Sequence, residues 1–167
     1  MGTKEHKANA PQMLKVAVIS VSTTRTLDDD TSGHWMVKRA IKEGHVVVYH
    51  QVVPDQAEVI AQTVHDVLDA HTPEVVLVTG GTGIGPQDVT IEAVRPLFDK
   101  ELSAFGPLFA QLSYEEIDSA ALMSRATAGV LGQCIVFCLP GSLKACKLAC
   151  KALIFPEVGH LLKHVYE

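Results

Sequence analysis

The sequence predicts an α/β protein, a three-layer α/β/α sandwich around a mostly parallel, mixed sheet. Short β-branched runs alternate with stretches of helical period, as when crossover helices link the strands of one sheet. The run Glu74–Thr79 (EVVLVT) is apolar on both faces, as a central parallel strand requires. Two late runs, Ala126–Leu131 and Cys134–Leu139, are joined at Gly132 too tightly for a crossover, which predicts one antiparallel edge.

Residues 1–13 are polar, contain Pro11 and show no periodicity, so they read as a flexible tail ahead of a single domain over 14–167. Lys15–Val21 (KVAVISV) is a buried strand by length and β-branched content. Ser32–Glu43 reads as a helix with Thr31 as N-cap and Gly44 as its stop. Val46–Val53 is a second strand, closed by Pro54-Asp55. The apolar stripe Val59, Ile60, Val64, Val67, Leu68 makes Gln56–Ala70 a helix. Strand three runs into Gly80-Gly81-Thr82-Gly83-Ile84-Gly85-Pro86, and a helix follows from Thr90 towards Phe98. Another helix is expected over about Glu101–Ser113, bent or interrupted at Gly106-Pro107. After the late strand pair, Pro140-Gly141-Ser142 opens a helix through Leu153, and Pro156–Tyr166 closes the chain.

Composition narrows the function. The 167 residues are 47% hydrophobic and 20% charged, within the globular range and far from a disordered chain. A formal charge of −5 argues against a nucleic-acid binder, which carries a basic balance. No apolar run approaches the roughly 18–20 residues of a membrane span, and Met1–His6 lacks an apolar signal region. Four cysteines are too few for a stapled secreted scaffold. These features together predict a cytoplasmic protein.

In open α/β sheets ligands bind beyond the carboxyl ends of the strands. Strand one delivers Ser22-Thr23-Thr24-Arg25 and then Asp28-Asp29-Asp30-Thr31-Ser32-Gly33. Strand two delivers Pro54-Asp55, strand three Gly80–Gly85 and Asp88-Val89-Thr90, and the last long strand Pro140-Gly141-Ser142. Small residues, hydroxyls and helix starts at such ends form natural anion sites, so the ligand is expected to carry phosphate. The glycine loop is not a P-loop, because no Gly-Lys-Ser/Thr follows at the required spacing. Its GxGxG pattern after the third strand also speaks against a nicotinamide oxidoreductase. Asp55 and Asp88 either hold a hydrated Mg²⁺ with substrate phosphates or cap a helix and tie down a loop. Of the run Asp28–Asp30, Asp30 is the one expected to face the site. No CxxC or HExxH framework is present, so no structural metal is expected. The cysteines read as small core residues, and Trp35 as a core or interface anchor.

Taken together, Asp29-Asp30-Thr31-Ser32-Gly33-His34, Val53-Pro54-Asp55, Thr79-Gly80-Gly81-Thr82-Gly83 through Asp88-Val89-Thr90, and Pro96-Leu97-Phe98-Asp99 resemble the MoaB/MogA family of molybdenum cofactor biosynthesis proteins. Phe105-Gly106, Leu112-Ser113, Ser124-Arg125-Ala126 and Leu139-Pro140-Gly141-Ser142 follow in the family's order. The likeness covers about residues 15–158, and the DDTSGH stretch is closer to the MoaB branch. It implies a molybdopterin-binding fold that assembles as a homotrimer or as a hexamer of two trimers. It also implies adenylylation of molybdopterin by Mg-ATP, with pyrophosphate released, before a partner protein inserts molybdate. The family's two important aspartates match Asp55 and Asp88, implied to position Mg²⁺ and phosphates. Gly80, Gly81, Thr82 and Gly83 are implied to cradle phosphate. Ser22, Asp30, Thr79, Thr90, Ser124, Arg125, Pro140, Gly141 and Ser142 complete the implied binding set. Three positions depart from the family pattern: Gln87 where many active relatives carry Arg, Leu143 for a frequent Pro, and Pro107 for a common Glu. A non-catalytic molybdopterin-binding paralogue is therefore the alternative reading.

Overall fold

A computed structural model describes residues 13–167; apart from exposed Met13, the expected tail lies outside the described residues. Strands β1 (Lys15–Val21), β2 (Val46–Val53), β3 (Val75–Thr79), β4 (Lys100–Glu101), β5 (Thr127–Leu131) and β6 (Cys134–Leu139) form one sheet in the order β2-β1-β3-β6-β5-β4. The neighbours β2, β1, β3 and β6 are parallel, and β5 is antiparallel to both β6 and β4. The predicted antiparallel strand is therefore present but internal. The edge is β4, where a helix was expected to begin.

Alternation along the strands divides the core in two. Val16, Val18, Val75, Leu77, Ile135 and Phe137 face one side, and Ala17, Ile19, Val76, Val78, Val136 and Cys138 the other. The first face is covered by helices α1 (Thr31–Lys42), α4 (Phe105–Ile117), α5 (Leu143–Ala149) and α6 (Phe155–Tyr166), through Met36, Ala40, Phe109, Cys146, Val158 and Leu162. The second is covered by α2 (Ala57–His71) and the short α3 (Thr90–Val94), through Ile60, Val64, Ile91 and Val94. This is the predicted three-layer sandwich. Deleting a fully buried ring such as Phe109 from it should cost about 3–5 kcal/mol.

Three local expectations are corrected. Asp30, not Thr31, caps α1, accepting the Gly33 N–H at 3.0 Å. Gly106-Pro107 does not interrupt α4: Pro107 sits in its first turn, where a missing N–H costs nothing. The last two helices are not separate, because a π-helical stretch, Cys150–Ile154, joins α5 to α6. Pro156 cannot donate to the carbonyl four residues back, and the widened turn accommodates it.

Because the four parallel strands run the same way in near register, their carboxyl ends at Val53, Val21, Thr79 and Leu139 form one rim. The order in which strands are added reverses at β1, with β2 on one side and β3 on the other. The gap between β1 and β3 is therefore the topological switch point at which open α/β sheets hold ligands.

Candidate active site

At that switch point lies a cleft of about 390 Å³. Its lining includes Ser22, Thr24, Arg25, Asp55, Gly80, Gly81, Thr82, Gly83, Asp88, Met123, Pro140 and Gly141. Grooves of about 630 and 530 Å³, at the amino ends of the strands and beside α5, gather none of the site residues expected from the sequence.

The glycine loop leaves β3 through two left-handed residues, Gly80 (φ 97°) and Gly81 (φ 65°). A side chain at Gly80 would meet Val21 O at 2.3 Å, and one at Gly81 would meet Thr90 Oγ1 at 2.4 Å. Only glycine permits both the turn and the approach. Beyond this turn the N–H groups of Gly81, Thr82, Gly83 and Ile84 donate to no acceptor among the described residues. Successive unpaired amides of this kind form an anion-binding concavity. The Thr82 hydroxyl is also without a partner among the described residues, although Thr82 is only 2% exposed. A buried polar atom left open in this way calls for a ligand or water.

The two aspartates are held alike. Asp55 Oδ2 accepts the Thr23 N–H at 2.8 Å and the Thr23 hydroxyl at 2.9 Å. Asp88 Oδ2 accepts the Gly85 N–H at 2.9 Å. In each the other oxygen, Oδ1, has no hydrogen bond among the described residues. Asp55 does not cap α2, whose N-cap is Gln56. Asp88 does tie its own loop, with one oxygen only.

Other predicted residues lie behind the rim. The Thr79 hydroxyl donates to Pro140 O at 2.9 Å and the Thr90 hydroxyl to Gly80 O at 2.8 Å, fixing the two glycine turns. Asp30 is buried, accepting from Ser20 Oγ at 2.5 Å and His50 Nε2 at 2.7 Å. Burial alone would raise its pKa, but the hydrogen bonds from His50, Ser20 and the Gly33 N–H outweigh it, and the net direction is down. Ser142 caps α5 through Ala145 N, and Ser124 donates its N–H to Ala121 O. Neither Ser124 nor Ser142 lines the cleft. Arg125 reaches the loop from behind: Nε donates to Thr82 O at 2.9 Å and Nη2 to Gly83 O at 2.8 Å. Its Nη1 and Nη2 also hold Glu92, at 2.6 and 3.3 Å. This pairing with Arg125 keeps the Glu92 carboxyl below its ordinary range.

Sequence reasoning missed Thr23 as the support of Asp55, and Glu92 as the support of Arg125. It also left Arg25 out of the binding set. Arg25 lines the cleft and forms no ion pair among the described residues. Its place in the first strand's loop was the only signal available.

Fold and rim define an open α/β protein with a cleft at its switch point, lined by unpaired peptide amides and two half-committed carboxylates. Residues 17–160 match the family model described as "Probable molybdopterin binding domain". The chain is 46% identical to Molybdenum cofactor biosynthesis protein B of Bacillus subtilis, over 99% of this chain and 98% of that one. It is 42% identical to a protein named Molybdopterin adenylyltransferase from Pyrococcus furiosus, over the whole of both chains. A crystal structure of Molybdenum cofactor biosynthesis protein B superimposes with TM-score 0.90 at 42% identity, covering 95% of this chain and 99% of that one. The chain belongs to the MoaB/MogA family of molybdenum cofactor biosynthesis proteins.

Proposed function

We propose that this protein adenylylates molybdopterin. An oxygen of the pterin's terminal phosphate attacks the α-phosphorus of ATP; the new P–O bond forms as the bond to the β-phosphate oxygen breaks, and pyrophosphate leaves. The carrying observation is the run of unpaired amides that starts at Gly81 and continues to Ile84: Gly81, Thr82 and Gly83 line a cleft that also presents Asp55, Asp88 and Arg25. A phosphate monoester has a second pKa of about 6, so at neutral pH the nucleophile is already an anion and needs no general base. What remains for the protein is alignment and charge compensation. In this reading the loop amides and the Thr82 hydroxyl hold phosphate oxygens, and Arg25 balances triphosphate charge that an arginine at position 87 would otherwise meet. The open Oδ1 atoms fit Mg²⁺ arriving with the phosphates, which needs only one or two carboxylates. Asp55 and Asp88 would hold that ion, which supplies charge neutralisation. Among the described residues no group of three or more His, Cys, Asp or Glu could hold a metal ion by itself.

The same reading carries assembly as a homotrimer or a hexamer, delivery of product to a molybdate-insertion protein, and action in the cytoplasm. No helix among the described residues is long and apolar enough to cross a membrane. Incubation with molybdopterin, Mg²⁺ and ATP should yield adenylylated pterin and pyrophosphate in equal amounts. Folded protein that binds molybdopterin but forms no product would leave the second reading, a non-catalytic binder, which Gln87 favours.

A further inference from the structure

We infer that Arg125 is a positioning residue that aims the glycine loop, and that Glu92 holds it in that task; this rests on the phosphate-cradle reading above. A guanidinium near a phosphate site invites a direct-contact role, but this one is committed elsewhere. Three of its hydrogen bonds go to carbonyls, Nε to Thr82 O and Gly83 O at 2.9 and 3.1 Å and Nη2 to Gly83 O at 2.8 Å. Two more go to the Glu92 carboxylate. Arg125 comes from the segment between α4 and β5, Glu92 from α3, and the carbonyls from the β3–α3 loop, so the clamp ties three separate pieces of chain.

Peptide geometry gives the clamp its effect. In a planar trans peptide the C=O and the following N–H point in opposite directions. Drawing Thr82 O and Gly83 O onto the guanidinium therefore turns the N–H groups of Gly83 and Ile84 away from it. Those are two of the four amides without a protein acceptor. A charged donor on the carbonyl also polarises each peptide, making its N–H a stronger donor to an anion. Without the clamp, a loop carrying glycines at 80, 81, 83 and 85 has little to keep these peptides from flipping.

The fork geometry of arginine is essential here, because the compact ammonium of lysine cannot span two carbonyls and a carboxylate. That separates positioning from contact. The experiment measures pyrophosphate affinity by calorimetry, with adenylylation kinetics alongside, for wild type, Arg125→Lys, Arg125→Met and Glu92→Gln. Positioning predicts that Arg125→Lys weakens pyrophosphate binding by about tenfold or more, nearly as much as Arg125→Met. Glu92→Gln, at an exposed position, should weaken binding by a smaller factor. Without ligand, the backbone amide resonances of Gly83 and Ile84 should move and broaden in Arg125→Lys and Arg125→Met, with μs–ms motion visible by relaxation dispersion, a readout independent of turnover. A direct-contact role predicts the reverse: Lys retains most of the affinity, and Glu92→Gln, by releasing the guanidinium, strengthens binding. Either result overturns the inference. If wild type binds pyrophosphate but makes no adenylylated pterin, the adenylyltransferase reading falls while the clamp is still decided by affinity and by the loop resonances. If wild type does not bind pyrophosphate, the cradle and the clamp's role both fall.

Discussion

Thr23 holds Asp55 by two donors at once: its N–H and its hydroxyl both reach Oδ2, at 2.8 and 2.9 Å. The Asp55 N–H donates back to Thr23 Oγ1 at 3.2 Å, which closes the pair. The first strand's loop thus orients a carboxylate delivered by the second strand. Thr23→Val keeps the backbone bond and removes the hydroxyl. Turnover should fall by about tenfold, while urea unfolding should shift by about 1 kcal/mol or less. Kinetics and a urea titration on one preparation check both.

Asp88→Asn should abolish most turnover and leave the fold intact. An amide oxygen can still accept the Gly85 N–H, so the loop keeps its tie, but a neutral side chain is a far poorer ligand for Mg²⁺. Adenylylation assays with thermal melting test this. A large drop in melting temperature would instead make Asp88 a structural tie.

Arg25 and Gln87 form a charge-balance test. Arg25→Gln should raise the KM for ATP by about tenfold or more, since a cation facing a polyphosphate is lost. Gln87 is exposed on the same loop as Asp88, and Gln87→Arg should restore part of the affinity in that background. No change in KM for either variant would remove Arg25 from the proposed site.

Stability should respond to pH in two separate windows. Asp30 has a folded pKa below its ordinary value of 3.8. Its contribution is therefore fully present above about pH 4–5 and is lost as pH falls through the lowered value. His45 is shifted down from 6.5 by burial, and its Nδ1 accepts the Leu14 N–H at 3.3 Å. Its contribution is present above about 6.5 and lost as pH falls towards the folded value. Urea midpoints between pH 3 and 8 should flatten in the upper window for His45→Asn and in the lower window for Asp30→Asn.

Strand assignments followed directly from the residues: Lys15–Val21, Val46–Val53 and Cys134–Leu139 are all at their expected bounds. Runs of this length rich in β-branched residues and bounded by turn residues favour strands, in half-buried Val46–Val53 as in the two buried ones. The two-residue strand Lys100–Glu101 was not legible, because nothing in Lys-Glu prefers an edge until Val130 and Gly129 lie beside it. The π-helical turn before Pro156 was equally hidden, since Pro156 alone reads as a helix start.

The aspartates, the glycine turn and the rim proposed here to bind phosphate could all be named from residue types and spacing, because they are local chemistry at strand ends. Tertiary structure alone decided which polar groups are already occupied. Asp30 looked as available as Asp55, yet Ser20, His50 and the Gly33 N–H take up its oxygens. Arg125 looked like a substrate cation, yet Thr82, Gly83 and Glu92 claim it. A sequence records which donors and acceptors exist; their partners come from elements tens of residues away, and only the packed chain pairs them.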